Sequence, residues 1–198
     1  LYYLDFETFS TAVPKFNGTK PYQQIPFQFS LHVVDAPGTE PKHYSFLYNG
    51  EDDPRKEFVS ELKKVLGDAG DIIVYNQSFE ISRLKELGAM YPEYQSWVEG
   101  VVGRVVDLLV PFRNFAYYHP SQKGSASIKK VLPALVEGKS YEGMEIADGG
   151  SASLEYYNTH YGDVSAEEKA RVRSALEKYC HLDTISMVWM VDALEKLI

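Results

Sequence analysis

Aromatic residues crowd residues 1–9, LYYLDFETF, and polar and apolar positions alternate from Leu4 to Glu7, which predicts a β-strand with Tyr3, Asp5 and Glu7 on one face and Leu4, Phe6 and Thr8 on the other. Pro14, Gly18 and Pro21 predict a loop over residues 10–24. FQFSLHVVD (27–35) and KHYSFLYN (42–49) read as two further strands, divided by Pro37, Gly38 and Pro41, so the chain opens as an antiparallel meander. From Asp53 and Pro54 to about Leu66 the apolar spacing becomes helical, with Phe58, Val59, Leu62, Val65 and Leu66 as the stripe, Asp53 as cap and Pro54 at the first position. DIIVYN (71–76) is a continuous apolar run, the pattern of a parallel strand buried on both faces. Helices follow near 79–89 and 93–102, then VVDLLVPF (105–112) as a fifth strand or a short strand and turn. SIKKVLPALV (127–136) reads as a short helix interrupted by Pro133, residues 137–163 as loop-rich, and residues 165–197 as a final long helix. The order β-β-β-α-β-α-β followed by helices predicts an α/β fold, a mixed sheet flanked by helices.

The length of 198 residues, with 44% hydrophobic and 24% charged, suits a single domain with a full core. No apolar run approaches the roughly 20 residues of a membrane span, and no basic-then-apolar leader opens the chain. The single cysteine, Cys180, excludes an internal disulfide and points to a reducing, cytoplasmic setting. The first residue, Leu1, falls inside a predicted strand, so the chain is expected to be a piece of a longer protein. The net charge of −8 argues against a free-standing, high-affinity nucleic-acid binder. It argues less against a carboxylate-rich site whose charge divalent cations offset.

Three sets of residues carry candidate chemistry. Asp5 and Glu7 share a strand face with Cα atoms about 6.8 Å apart, two strand rises. That spacing lets both carboxylates reach one hard cation; the alternative is a solvent-facing polar edge. Glu80 falls at the start of a helix that follows an apolar strand, where sites gather in open sheets. It can equally be a first-turn acid with Ser78 as the cap. In YCHLD (179–183), Tyr179 and Asp183 share a helix face with Val172, Leu176, Met187, Met190, Val191 and Leu194. Asp183 therefore lies in an apolar stripe and needs a partner: a neighbouring Arg or Lys, the Tyr179 hydroxyl, or a metal shared with Asp5 and Glu7. His181 and Asp192 point elsewhere and receive no role.

Taken in order, DFET, YNQSFE and YCHLD resemble the three motifs of the DEDD exonuclease superfamily, with the Tyr-x-x-x-Asp form of its tyrosine branch. The resemblance extends from residue 5 to residue 183. The stretches PYQQIPFQFSLH, YNQSFE and SIKKVLPAL also resemble an uncharacterised bacterial domain family of that superfamily, often found in longer nuclease-like proteins. The resemblance implies a ribonuclease H-like fold, nucleic acid as partner, and 3′–5′ exonuclease hydrolysis with two Mg²⁺ or Mn²⁺ ions. It implies an N-terminal nuclease-like domain in the full-length protein.

By the same resemblance, Asp5 bridges both ions, Glu7 and Asp183 complete the first, Glu80 holds the second, and Tyr179 orients the attacking water. Glu80 stands where the superfamily carries Asp. Expected substrate contacts are the backbone of Thr8 and Phe9, the Phe9 ring stacked on a base, Asn76, and Lys129, Lys130, Arg83 and Arg113 on phosphates. The bland reading of those cations is solvated surface. Tyr117, Tyr118, His119 and Pro120 would line a channel or pack under a loop, and Asp107 would support the site or cap the next turn. His119 is not expected to bind Mg²⁺, which prefers oxygen. Two other functions fit the same features: a catalytically inactive nucleic-acid-binding or scaffolding module, and a ribonuclease H-type endonuclease.

Overall fold

The computed structural model describes residues 1–197. Strands β1 (Tyr2–Phe9), β2 (Ile25–Val33), β3 (Lys42–Leu47), β4 (Ile72–Val74) and β5 (Val105–Asp107) form one sheet in the order β3-β2-β1-β4-β5. β1, β2 and β3 pair antiparallel, whereas β4 lies parallel to β1 and β5 parallel to β4. The result is a mixed α/β architecture with helices on both faces, compatible with the ribonuclease H-like plan.

Alternation along β1 divides the core in two. Leu4 and Phe6 face helices α1 (Arg55–Val65), α2 (Gln77–Met90) and α3 (Gln95–Val102), packing with Phe58, Leu62, Leu84 and Val98. Tyr3 and Phe9 face the other layer, α5 (Ile128–Leu135), α6 (Gly149–Tyr161) and α7 (Ala166–Glu195). A bulge sharpens the division. Glu7 opposes Gln28 but Thr8 opposes Pro26, so β2 holds one extra residue there. Phe27 and Gln28 consequently both turn to the α6–α7 side: Phe27 stacks on Tyr156 at 3.6 Å between ring centroids, and Gln28 Nε2 donates to Leu176 O at 3.0 Å.

Several expectations need correction. Residues 137–163 are not all loop, since they hold α6. Of the two readings of 105–112 the short strand and turn holds: the strand ends at Asp107, and Leu109–Arg113 then form the short helix α4. Asp107 Oδ1 makes that turn by accepting from Leu109 N at 3.0 Å and Asn76 N at 2.9 Å. Pro133 lies inside α5 without ending it. Helix α2 begins at Gln77, with Asn76 rather than Ser78 as its N-cap. Asn76 has φ +83°, a left-handed conformation that Asn tolerates better than most residues. Among the described residues, no helix is long and apolar enough to cross a membrane.

Candidate active site

Asp5 and Glu7 project from the middle strand toward α7, and Tyr179 and Asp183 descend from α7 onto them. All four line one cleft of about 510 Å³, with Tyr75, Phe79, Arg113, Ser127, Lys129 and Gly149 among the other lining residues. Local sequence explains each position. Strand alternation puts Asp5 and Glu7 on one face, and the four-residue helical repeat puts Tyr179 beneath Asp183. β4 runs parallel beside β1, so the start of α2 arrives at the carboxyl end of both strands.

Glu80 behaves differently from the other three acids. It is 1% exposed, it does not line the cleft although its neighbour Phe79 does, and its Oε2 has no hydrogen-bond partner. Burial pushes its carboxyl up to about 8, aided by the charge of Asp107 and opposed by its own backbone amide and by Arg83. Its charge is nonetheless felt in the cleft, where it helps raise both Asp5 and Glu7.

The cleft acids are held well above the usual carboxylate range, first by burial and then by one another. Asp5 is raised by burial, Asp183, Glu7 and Glu80, and Glu7 by burial, Asp183, Glu80 and Asp148. Asp183 rises least, to about 6, because Tyr141, Lys129 and Tyr179 favour its charged form. Tyr141 Oη donates to Asp183 Oδ1 at 2.6 Å. Lys129 sits over the Tyr141 and Tyr179 rings, 5.8 and 5.3 Å from their centroids, and donates to Ala147 O. Cys180 Sγ lies 3.6 Å from Asp5 Oδ2, and burial among these acids keeps its thiol protonated. Ligand atoms of Asp5, Glu7 and Cys180 all lie within 4.8 Å of one another, a separation that one cation can span.

The predicted substrate contacts divide. Lys129 and Arg113 line the cleft. Lys130 is exposed and outside it, because the next helix position rotates about 100° away. Arg83 is engaged with Gln24 at 2.7 Å and Glu86 at 2.6 Å. Phe9 cannot stack on a base: it is buried among Phe16, Phe27, Tyr156, Tyr157 and Tyr161. Thr8 and Asn76 stand outside the cleft lining, Thr8 near Gln24 and Asn76 occupied in starting α2. Tyr117 packs against Phe112, His119 caps the turn Pro120–Gln122, Tyr118 is exposed, and none of residues 117–120 lines the cleft.

Two contributors escaped the sequence reading. Tyr141 stands in a segment without periodicity, and nothing local marks it as a partner of Asp183. The start of α6 also reaches the site: a Cβ on Gly149 would lie 3.7 Å from Glu7 Oε2. Its signal was present, since Asp148 is an N-cap whose Oδ1 accepts from Ser151 N at 2.9 Å. The Gly149-Gly150 pair disguised it as loop.

Comparison with known proteins gives family but no activity. An uncharacterized protein of Mycoplasma genitalium is 30% identical, the match covering 99% of this chain and 32% of that protein. A homolog of it in Mycoplasma pneumoniae is 28% identical over 94% of this chain and 31% of its own length. An uncharacterized protein of Ureaplasma parvum is 26% identical over 99% and 31%. The chain thus spans about a third of the length of these curated relatives. No solved structure matches. The model of the domain of unknown function DUF2779 matches residues 2–127, more than half of the sequence, and the chain belongs to that family.

Proposed function

We propose that this domain is a divalent-metal-dependent 3′–5′ exonuclease of the DEDD type. One observation carries the reading: acids from three separate elements, Asp5 and Glu7 on β1, Glu80 on α2 and Asp183 on α7, share one electrostatic neighbourhood with scant positive charge to balance them. Like charges crowd in this way at a cost unless a cation joins them. The donor set fits a hard ion such as Mg²⁺ or Mn²⁺, being carboxylate oxygen beside a protonated thiol, and the orphaned Glu80 Oε2 is the atom most in need of a partner.

Asp5, Glu7, Asp183 and Glu80 would hold two such ions, which when bound acidify water and offset phosphate charge. Tyr179 is kept protonated by burial and by Asp183, so it serves as a hydrogen-bond donor or orienting group and not as a base. Tyr141 fixes the Asp183 carboxylate from behind. Lys129 and Arg113 at the cleft wall supply positive charge for the phosphates of a nucleic-acid end.

The concealment of Glu80 supports a second reading, a module that binds nucleic acid or a protein without cleaving. Oligonucleotides of DNA and RNA labelled at the 5′ end, incubated with Mg²⁺ or Mn²⁺, separate the two. Stepwise loss of 3′ nucleotides, abolished in Asp5→Asn, is the expected result. Absence of cleavage with either ion would transfer the assignment to the binding module, and internal cuts would make the domain an endonuclease.

A further inference from the structure

A second cluster of chemistry-bearing side chains lies on the other side of α7 from Asp183. His32 on β2 and His43 on β3 are directly opposite in register, and His181 of α7 closes over them. The rings of His32 and His43 stack at 4.4 Å between centroids, and His181 meets them edge-on at 4.7 and 4.4 Å. One ligand nitrogen from each of the three rings lies within 4.8 Å of the other two. His181 is two residues from Asp183, about 200° around the helix, so the cluster is separate from the acidic cleft.

The rings are also oriented from outside. His32 Nδ1 lies 2.8 Å from Thr184 Oγ1, Thr184 Oγ1 lies 2.7 Å from Ser30 Oγ, and Ser30 Oγ lies 2.9 Å from His43 Nε2. Thr184 Oγ1 also lies 3.1 Å from His181 O, to which it can donate. One proton arrangement closes this chain: His43 donates to Ser30, Ser30 and His32 donate to Thr184, and Thr184 donates to the helix carbonyl. Each of the two strand histidines then has one nitrogen tied to a hydroxyl and a lone pair on the other. Such tying of one ring nitrogen is how metal-ligating histidines are held. The ring of half-buried His181 makes no side-chain hydrogen bond to another described residue and stays available as a ligand.

We propose that His32, His43 and His181 form a site for one imidazole-preferring transition-metal ion, Zn²⁺ being the type case, which braces α7 against β2 and β3. Three imidazoles suit zinc, cobalt or nickel and not the hard ions expected at carboxylates. Ligation requires nitrogen separations of about 3.4 Å, set by metal–nitrogen bonds near 2.1 Å. The nitrogens, within 4.8 Å of one another, would draw together by up to about 1.4 Å on ligation, with the exposed and half-buried rings of His43 and His181 moving more than buried His32.

The test is titration of the purified, chelator-treated chain with ZnCl₂ by calorimetry, in an Asp5→Asn background that disables the acidic cleft. One equivalent of Zn²⁺ should bind, and His43→Ala and His181→Ala should each weaken it at least tenfold while leaving the circular dichroism spectrum unchanged. CoCl₂ in place of ZnCl₂ should give visible d–d absorption that both substitutions abolish. Should either variant fold poorly, His43→Gln and His181→Gln remove the ligand with less loss of volume and must give the same result. Zinc binding that survives both substitutions, or an Asp5→Asn chain that binds no zinc, overturns the site. The exonuclease reading stands or falls separately, on oligonucleotides.

Discussion

The unpartnered Oε2 of Glu80 gives the residue scale its sharpest test. The folded-state value, about 8, lies above the ordinary 4.5, so between these values the folded chain keeps a proton that the unfolded chain has released. In the presence of a chelator, Glu80 therefore stabilises the fold fully below pH 4.5, loses that contribution as pH rises toward 8, and adds no further change above. The change is on the order of a few kcal/mol. Glu80→Gln, neutral at every pH, should flatten this part of the profile in urea melts, and an unchanged slope would deny the shift. With metal present, Glu80→Gln should abolish hydrolysis, and Glu80→Asp should slow it about a hundredfold, since it withdraws the carboxylate by roughly an ångström. Undiminished turnover in Glu80→Asp would leave Glu80 as a first-turn acid only.

Two tyrosines beside Asp183 are predicted to separate by phenotype. Tyr141→Phe removes the 2.6 Å hydrogen bond to a buried carboxylate and should destabilise the chain by about 1–3 kcal/mol. Tyr179→Phe should leave melting nearly unchanged and lower kcat, because its hydroxyl is assigned to the reacting water. Turnover and thermal melting measured on both variants decide the assignment; equal loss of stability in the two would make Tyr179 a second structural donor.

At the scale of elements, α6 ties the start of the site to the sheet and to the loop before α1. Its start approaches Glu7, its Tyr156 stacks on Phe27, and His160 near its end lies 2.7 Å from Gly50 O. Burial depresses the His160 value below 6.5, the backbone acceptor at Gly50 opposing it. The sign follows directly: the unfolded chain takes up a proton near pH 6.5 that the folded chain resists, so this contribution is present above that value and lost as pH falls. His160→Phe should remove the acid-side decline while lowering stability at neutral pH through the lost hydrogen bond. Amide exchange of α6 at pH 5 and pH 7.5 would show it, and identical protection at both would contradict the assignment.

At the scale of the whole molecule, the net charge of −8 and the crowded acids make the fold responsive to cations. An ion that binds only the folded chain raises the melting midpoint by mass action. Mn²⁺ should therefore raise the midpoint in proportion to the logarithm of its concentration, and EDTA should reverse the rise. Asp5→Asn should start from a higher midpoint in EDTA, because one crowded charge is gone, and should respond far less to Mn²⁺. Midpoints identical in EDTA and excess Mn²⁺ would count against the metal site and in favour of the binding module.

The sequence alone determined what depends on short-range periodicity. Alternation placed Asp5 and Glu7 on one face of a strand, and the helical repeat placed Tyr179 and Asp183 together in the apolar stripe of the last helix. Chain order gave the meander, the parallel strand and the flanking helices. The sequence did not reveal α6, because Gly149 and Gly150 carry a loop signature while the forces that hold the helix, Phe27 and Gly50 among them, lie more than a hundred residues away. Nor did it reveal that Phe9 is enclosed by five aromatic rings, that Tyr141 donates to Asp183, or that Glu80 is buried outside the cleft lining. The same holds for His181, which has no evident task on its own helix and meets His32 and His43 only across the sheet. These were decided by tertiary packing, since burial and side-chain partnership depend on which distant surfaces meet, and no local period records that.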